Sequence, residues 1–144
     1  MSDALRYTDV EQACIAQALR RVARKVTRRY EAALRPVGLT MGQFTTLAAL
    51  ARPEAVPLTV LAEQLGMDRT TLTRDLAPLE RRGLVASTPS PDDGRVRAIA
   101  LTDAGKELLG LAAPLWREAQ GESARLLDGA DWAPIREQLD RLSA

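Results

Sequence analysis

Residues 58 to 102, LTVLAEQLGMDRTTLTRDLAPLERRGLVASTPSPDDGRVRAIALT, constrain the fold more than any other part of the chain, because two apolar periods meet there across a tight turn. Leu58, Leu61, Ala62 and Leu65 recur at helical spacing, and Gly66 follows where a sharp turn needs a residue that tolerates positive φ. Ala62 is small enough for a second helix to cross closely. That second helix is expected to start at Asp68, whose carboxylate can cap free amides at the positive end of the helix dipole. Leu72, Leu76 and Leu79 then form one buried stripe. Gly83 ends the helix, and Leu84 to Thr88 and Val96 to Leu101 read as two short strands joined by the turn formers Pro89-Ser90-Pro91-Asp92-Asp93-Gly94. Helix, turn, helix and hairpin together make a winged helix-turn-helix.

The face of the second helix opposite its leucines presents Arg69, Thr70, Thr73 and Arg74, with Thr71 at the margin. Positive charge, hydroxyls and methyls in that arrangement suit base edges and phosphates in a DNA major groove. Arg95 and Arg97 lie just past the hairpin tip, and an arginine on such a projection fits a narrow, negative minor groove.

On the residues DRTTLTRDLAPLERRGLV, PDDGR and ALTDAG, the chain resembles the MarR family of bacterial transcription regulators. The resemblance implies a dimeric winged-helix protein that represses genes and releases DNA when it meets a small molecule or an oxidant, often as part of a stress response. It places the acid-x-Arg of the family's wing on Asp93-Gly94-Arg95, with Asp93 orienting Arg95 for the minor groove. Many relatives have a second basic residue where this chain has Gly94, which implies fewer phosphate contacts. The family's effector cleft lies between the dimer helices and the winged domain. Phe44, Leu47 and Trp116 are candidates to line it, with a place in the core as the other reading of each.

The flanks of the motif supply the rest. Apolar residues at Ile15, Leu19, Val22, Val26 and Tyr30 predict one helix from about Asp9 to Arg35, with residues 1 to 8 loose. Such a helix is ~40 Å long at about 1.5 Å per residue, more than one small core can cover, and its surplus surface points to a partner subunit. Pro36 ends it. Thr40-Met41-Gly42-Gln43 is a capping box, flanked by Leu39 and Phe44 as a hydrophobic staple. Pro53 and Pro57 bracket a loop into the motif, and Pro78 falls inside the second motif helix, where a tolerated bend near its end is expected. Thr102 opens a long helix that Gly110, Pro114 and Gly121 weaken or kink, and Asp131 caps a last one bearing Trp132, Ile135, Leu139 and Leu142. The organisation expected is a dimerisation helix over 1–36, a DNA-binding domain over 37–102 and dimerisation helices over 103–144, mainly α with a small β wing.

The net charge of +1 does not by itself announce a nucleic-acid partner, but its distribution is lopsided. Residues 20 to 35 hold seven basic side chains against the single acid Glu31, while Asp103 to Ala144 hold five basic and eight acidic. An arginine-rich helix face is ordinarily solvated; direct contact with DNA is the other reading. With no histidine and one cysteine the chain has neither the ligands of a usual zinc or copper site nor a nucleophile and base pair, so no metal, cofactor or catalysis is expected. No membrane span or signal pattern is present, and a cytoplasmic location is the default. Cys14 is the one candidate for redox sensing, against a plain boundary residue. A winged-helix module that binds protein instead of DNA is the reading from another class, and Arg69 and Arg74 weigh against it.

Overall fold

The computed structural model describes residues 4–143. Helices α1 (Tyr7–Ala13) and α2 (Ile15–Leu34) lead through a 3-10 turn at Arg35–Val37 into α3 (Met41–Ala49). Strand β1 (Val56–Pro57), α4 (Leu58–Leu65), α5 (Arg69–Arg81), β2 (Val85–Pro89) and β3 (Arg97–Leu101) follow, and α6 (Asp103–Arg125) and α7 (Trp132–Arg141) close the chain. The winged helix-turn-helix expected from the motif is therefore present, mainly helical with one small antiparallel sheet in the order β1-β3-β2.

Local chemistry sets most boundaries where the sequence placed them. Thr40 accepts from the Gln43 amide while the Gln43 side chain accepts from the Thr40 amide, the reciprocal cap that starts α3. Gly66 (φ 64°) and Gly83 (φ 69°) take the left-handed conformation that turns the chain out of α4 and α5. Thr102 caps α6 and Asp131 caps α7. Leu61, Leu72, Leu76, Leu79 and Ile99 are sealed in one core with Leu34, Leu47 and Leu50. Each such side chain contributes about 1.5–3 kcal/mol of burial relative to exposure.

Three features depart from the expectation. The first helix begins at Tyr7, with the Arg6 amide donating to Asp9 Oδ2 at 3.0 Å, so residues 7 and 8 are helical; residues 1 to 3 lie outside the described part. It is not one helix, because Cys14 turns to φ −81°, ψ 109°. The flanking bonds survive, from the Cys14 amide to Val10 and from the Ala18 amide to Cys14, so the break is a one-residue bend with no proline or glycine behind it. Strand β1 went unseen because two residues, one a proline on a sheet edge, have no period to read; Val56 faces Ile99 and Pro57 faces Ala98. Helix α6 runs on through Gly110, Pro114 and Gly121 without ending, and Pro78 sits in the last turn of α5, as expected.

Helices α2 and α6 pack on each other, with the Tyr30 hydroxyl donating to Gln120 and Arg29 to Ser123. Helix α7, by contrast, has no buried residue.

Candidate nucleic-acid interface

Helix α5 is held at its start by Asp68. Its carboxylate accepts from the Thr71 amide at 2.8 Å and from the Thr71 hydroxyl at 2.7 Å. Those two donors favour the charged form and hold the carboxyl below its ordinary range. Thr71 is thus engaged in the cap, and Thr73, itself exposed, donates its hydroxyl to the Arg69 carbonyl at 2.8 Å.

Arg69, Thr70 and Arg74 are exposed. Among the described residues neither arginine has a hydrogen-bond or ion-pair partner, so both guanidinium groups are free to meet an anion. At 100° per residue, Thr70, Arg74, Ala77 and Arg81 fall on one line opposite the buried leucines. Arg81, exposed and likewise unpaired among the described residues, was missed by the sequence reading, although the same period carried one turn further would have found it.

Beside α5 stands the wing. Strands β2 and β3 pair from Val85↔Leu101 to Pro89↔Arg97, and the loop closes where the Ser90 amide donates to the Val96 carbonyl at 2.7 Å. Asp93 Oδ1 accepts from the backbone amide of Arg95 at 3.0 Å, so the acid shapes the turn and leaves the Arg95 guanidinium exposed. Arg97 is placed otherwise than expected. Its Nη2 meets Glu80 Oε1 and its Nε donates to Ser87 Oγ, both at 2.6 Å, which ties the hairpin to the end of α5.

The remaining candidates lie apart from this face. Phe44 and Leu47 are buried in the core; Trp116 is half-buried and stacks on Phe44 with ring centroids 5.9 Å apart. Of the three, Trp116 alone presents substantial surface. A cleft of about 280 Å³ opens between α2 and α6, lined by Arg29, Ala32, Ala33, Glu118, Ala119 and Glu122. Cys14 is half-buried at the bend between α1 and α2. No helix among the described residues is long and apolar enough to cross a membrane.

Residues 39–96 match the model of the MarR family. The chain is 32% identical over 83 residues to the organic hydroperoxide resistance transcriptional regulator of Bacillus subtilis, a stretch that covers 58% of this chain and 56% of that one. It therefore spans little more than half the length of that curated relative. Among solved structures, the M. tuberculosis transcriptional regulator MosR in complex with DNA is 38% identical, covering 90% of this chain and 92% of that one with a TM-score of 0.79. The transcriptional repressor CouR, solved on a 23-mer DNA duplex and also bound to p-coumaroyl-CoA, is 27% identical in the DNA complex, covering 99% of this chain and 100% of that one with a TM-score of 0.84. These relatives are transcriptional regulators, not enzymes, and the likeness to the two solved structures extends from the motif to the flanking helices. The chain belongs to the MarR family.

Proposed function

We propose that the protein is a DNA-binding transcriptional repressor that grips a pseudo-palindromic operator as a homodimer and lets go when a small-molecule effector binds. The observation that carries the reading is the exposed outer line of α5, where Arg74, unpaired among the described residues, stands beside Thr70 with Arg69 and Thr73 exposed on the flank, together with the exposed Arg95 on the wing. Each α5 enters a major groove and each Arg95 an adjacent minor groove, with half-sites about one helical turn apart. Arg81 adds a phosphate contact at the far end of α5. Residues 37–102 supply this surface, and the arms before and after it supply the dimer. Release follows when an effector changes the spacing of the two recognition helices, since both must meet their grooves together. Repression and effector release rest on the likeness to CouR.

Fluorescence anisotropy on a duplex that the protein selects from a random pool, against a scrambled duplex, tests the reading. Specific binding about 10³-fold or more tighter than to the scrambled duplex is expected. Arg74→Ala costs about 1–3 kcal/mol of it, and Arg95→Ala lowers the salt slope by about one unit. Equal, weak binding to both duplexes would return the face to a protein partner. A thiol switch at Cys14 is the second reading, supported by the likeness to the organic hydroperoxide resistance regulator and by the partial exposure of Cys14. Peroxide that abolishes binding in the parent protein and spares Cys14→Ser would select it.

A further inference from the structure

We propose that Arg82 is a positioning residue that couples the dimerisation arms to the recognition helix without touching DNA. Arg82 is the residue that ends α5. Its Nη1 donates to the Gly38 carbonyl at 2.8 Å, and its Nη2 lies 3.5 Å from the Val37 carbonyl, at the limit of a hydrogen bond. Val37 and Gly38 close the turn through which α2 leads into the winged domain, so the guanidinium fork ties the point where that arm joins the domain to the end of α5.

The next two residues are tied to the other arm. The Thr102 hydroxyl donates to the Gly83 carbonyl, the Thr102 amide donates to the Leu84 carbonyl at 3.1 Å, and Gly105 of α6 packs directly on that same carbonyl. Three consecutive residues, Arg82-Gly83-Leu84, thus receive both arms at one point, the C-terminal end of the recognition helix. The base-reading turn lies at its other end, ~20 Å away for 13 residues at about 1.5 Å each. A tilt of roughly 10° at the anchor therefore carries that turn roughly 3 Å, enough to undo groove contacts.

Arg82 is distinct in this from its neighbour. Arg81 lies on the outer line of α5, and Arg82 is turned about 100° from it along the helix, toward the carbonyls of the arm. A charge-assisted bond to a carbonyl resists sliding, and a guanidinium can span two carbonyls where an ammonium meets them singly.

The inference rests on the homodimeric DNA-binding reading, and the experiment separates the two. The full-length protein is measured by anisotropy on the duplex it selects from a random pool, and on versions whose half-site spacing is changed by one base pair. The parent is expected to lose about tenfold or more on the altered spacings. Arg82→Gln is expected to bind the native spacing about tenfold more weakly, to discriminate the spacings several-fold less, and to keep the parent salt slope, since no phosphate contact is lost. Arg82→Lys, which keeps charge and stem, is expected to recover part of the discrimination. Unchanged spacing discrimination in Arg82→Gln, or a salt slope lowered by about one unit, would overturn the proposal.

Should the parent select no duplex, the DNA-binding reading fails and Arg82 is judged without DNA. Spin labels at Arg24→Cys and Thr70→Cys in a Cys14→Ser background, diluted with unlabelled protein, report the distance from α2 to the start of α5. Arg82→Gln is expected to broaden that distribution; the parent's width in the variant would overturn the role. Should Arg82→Gln not fold, Arg82→Lys gives both readouts, and a parent-like result in them counts against the proposal.

Discussion

At Gly105 a side chain has no place to go. A Cβ there would run into the Leu84 carbonyl oxygen, which is backbone fixed by the Thr102 amide and cannot yield. Gly105→Ala should therefore destabilise the protein by about 1–3 kcal/mol, read as a lower urea midpoint. Gly42, exposed in the first turn of α3 with its nearest side-chain atom 4.0 Å from a built Cβ, is the contrast. There alanine removes backbone freedom from the unfolded chain and should raise stability by about 0.5 kcal/mol. Equal midpoints for the two variants would mean that α6 does not seat on Leu84 as described. Asp68 makes a prediction in pH. Its carboxyl is held below the ordinary range chiefly by the Thr71 hydroxyl and then by the Thr71 amide, so the folded state binds its proton less readily than the unfolded one. The stabilisation is complete above pH ~4 and is lost as pH falls through the depressed folded value. Thermal scans should show Asp68→Ala melting below the parent at pH 7, with the gap narrowing below pH ~4; a constant gap would sink the assignment.

Elements were legible to the extent that their determinants are local. The caps at Thr40, Asp68, Thr102 and Asp131 and the turns at Gly66 and Gly83 each bind within about one helical turn, and the apolar period of α4 and α5 marks their buried sides. The free face of α5 was readable for the same reason. What joins elements was not. The Arg97–Glu80 pair spans 17 residues and the Arg82–Gly38 bond spans 44, and neither leaves a mark in either local sequence. Arg97 was therefore expected on DNA, yet it is bonded to Glu80 and Ser87. The bend at Cys14 had no breaker to announce it. This placement predicts that Glu80→Gln loosens the wing against α5. As a partly exposed pair, it should change global stability by less than ~1 kcal/mol. Amide exchange across residues 90–96 should nevertheless quicken, and specific DNA binding should weaken with the salt slope kept. Parent-like exchange there would free Arg97 for the groove, where Arg97→Ala would lower the slope.

As a whole molecule the single chain leaves too much apolar surface in water. Val22 of α2 is 52% exposed, Trp132 of α7 44% and Leu142 just beyond it 57%. A ten-residue helix such as α7 is marginal alone, and one with an apolar stripe facing solvent calls for cover. The exposed faces of α1, α2, α6 and α7 lie at the two ends of the chain, outside the winged core, so a second copy can cover them without disturbing α5 or the hairpin. Val22→Asp tests this, because the position makes no contribution to the winged core and a buried carboxylate in a helix-helix seam is costly. The parent should sediment as two 15.7 kDa chains and the variant as one, with the variant's melting still cooperative. Joining two half-site contacts multiplies affinity by about 10²–10⁴, so the variant should lose roughly that factor on a two-half-site duplex and little on a single half-site. If Val22→Asp sediments as the parent does, α2 is not the seam. If it is monomeric and still binds the full operator at parent affinity, the recognition helices do not act as a pair, and release by changing their spacing goes with them.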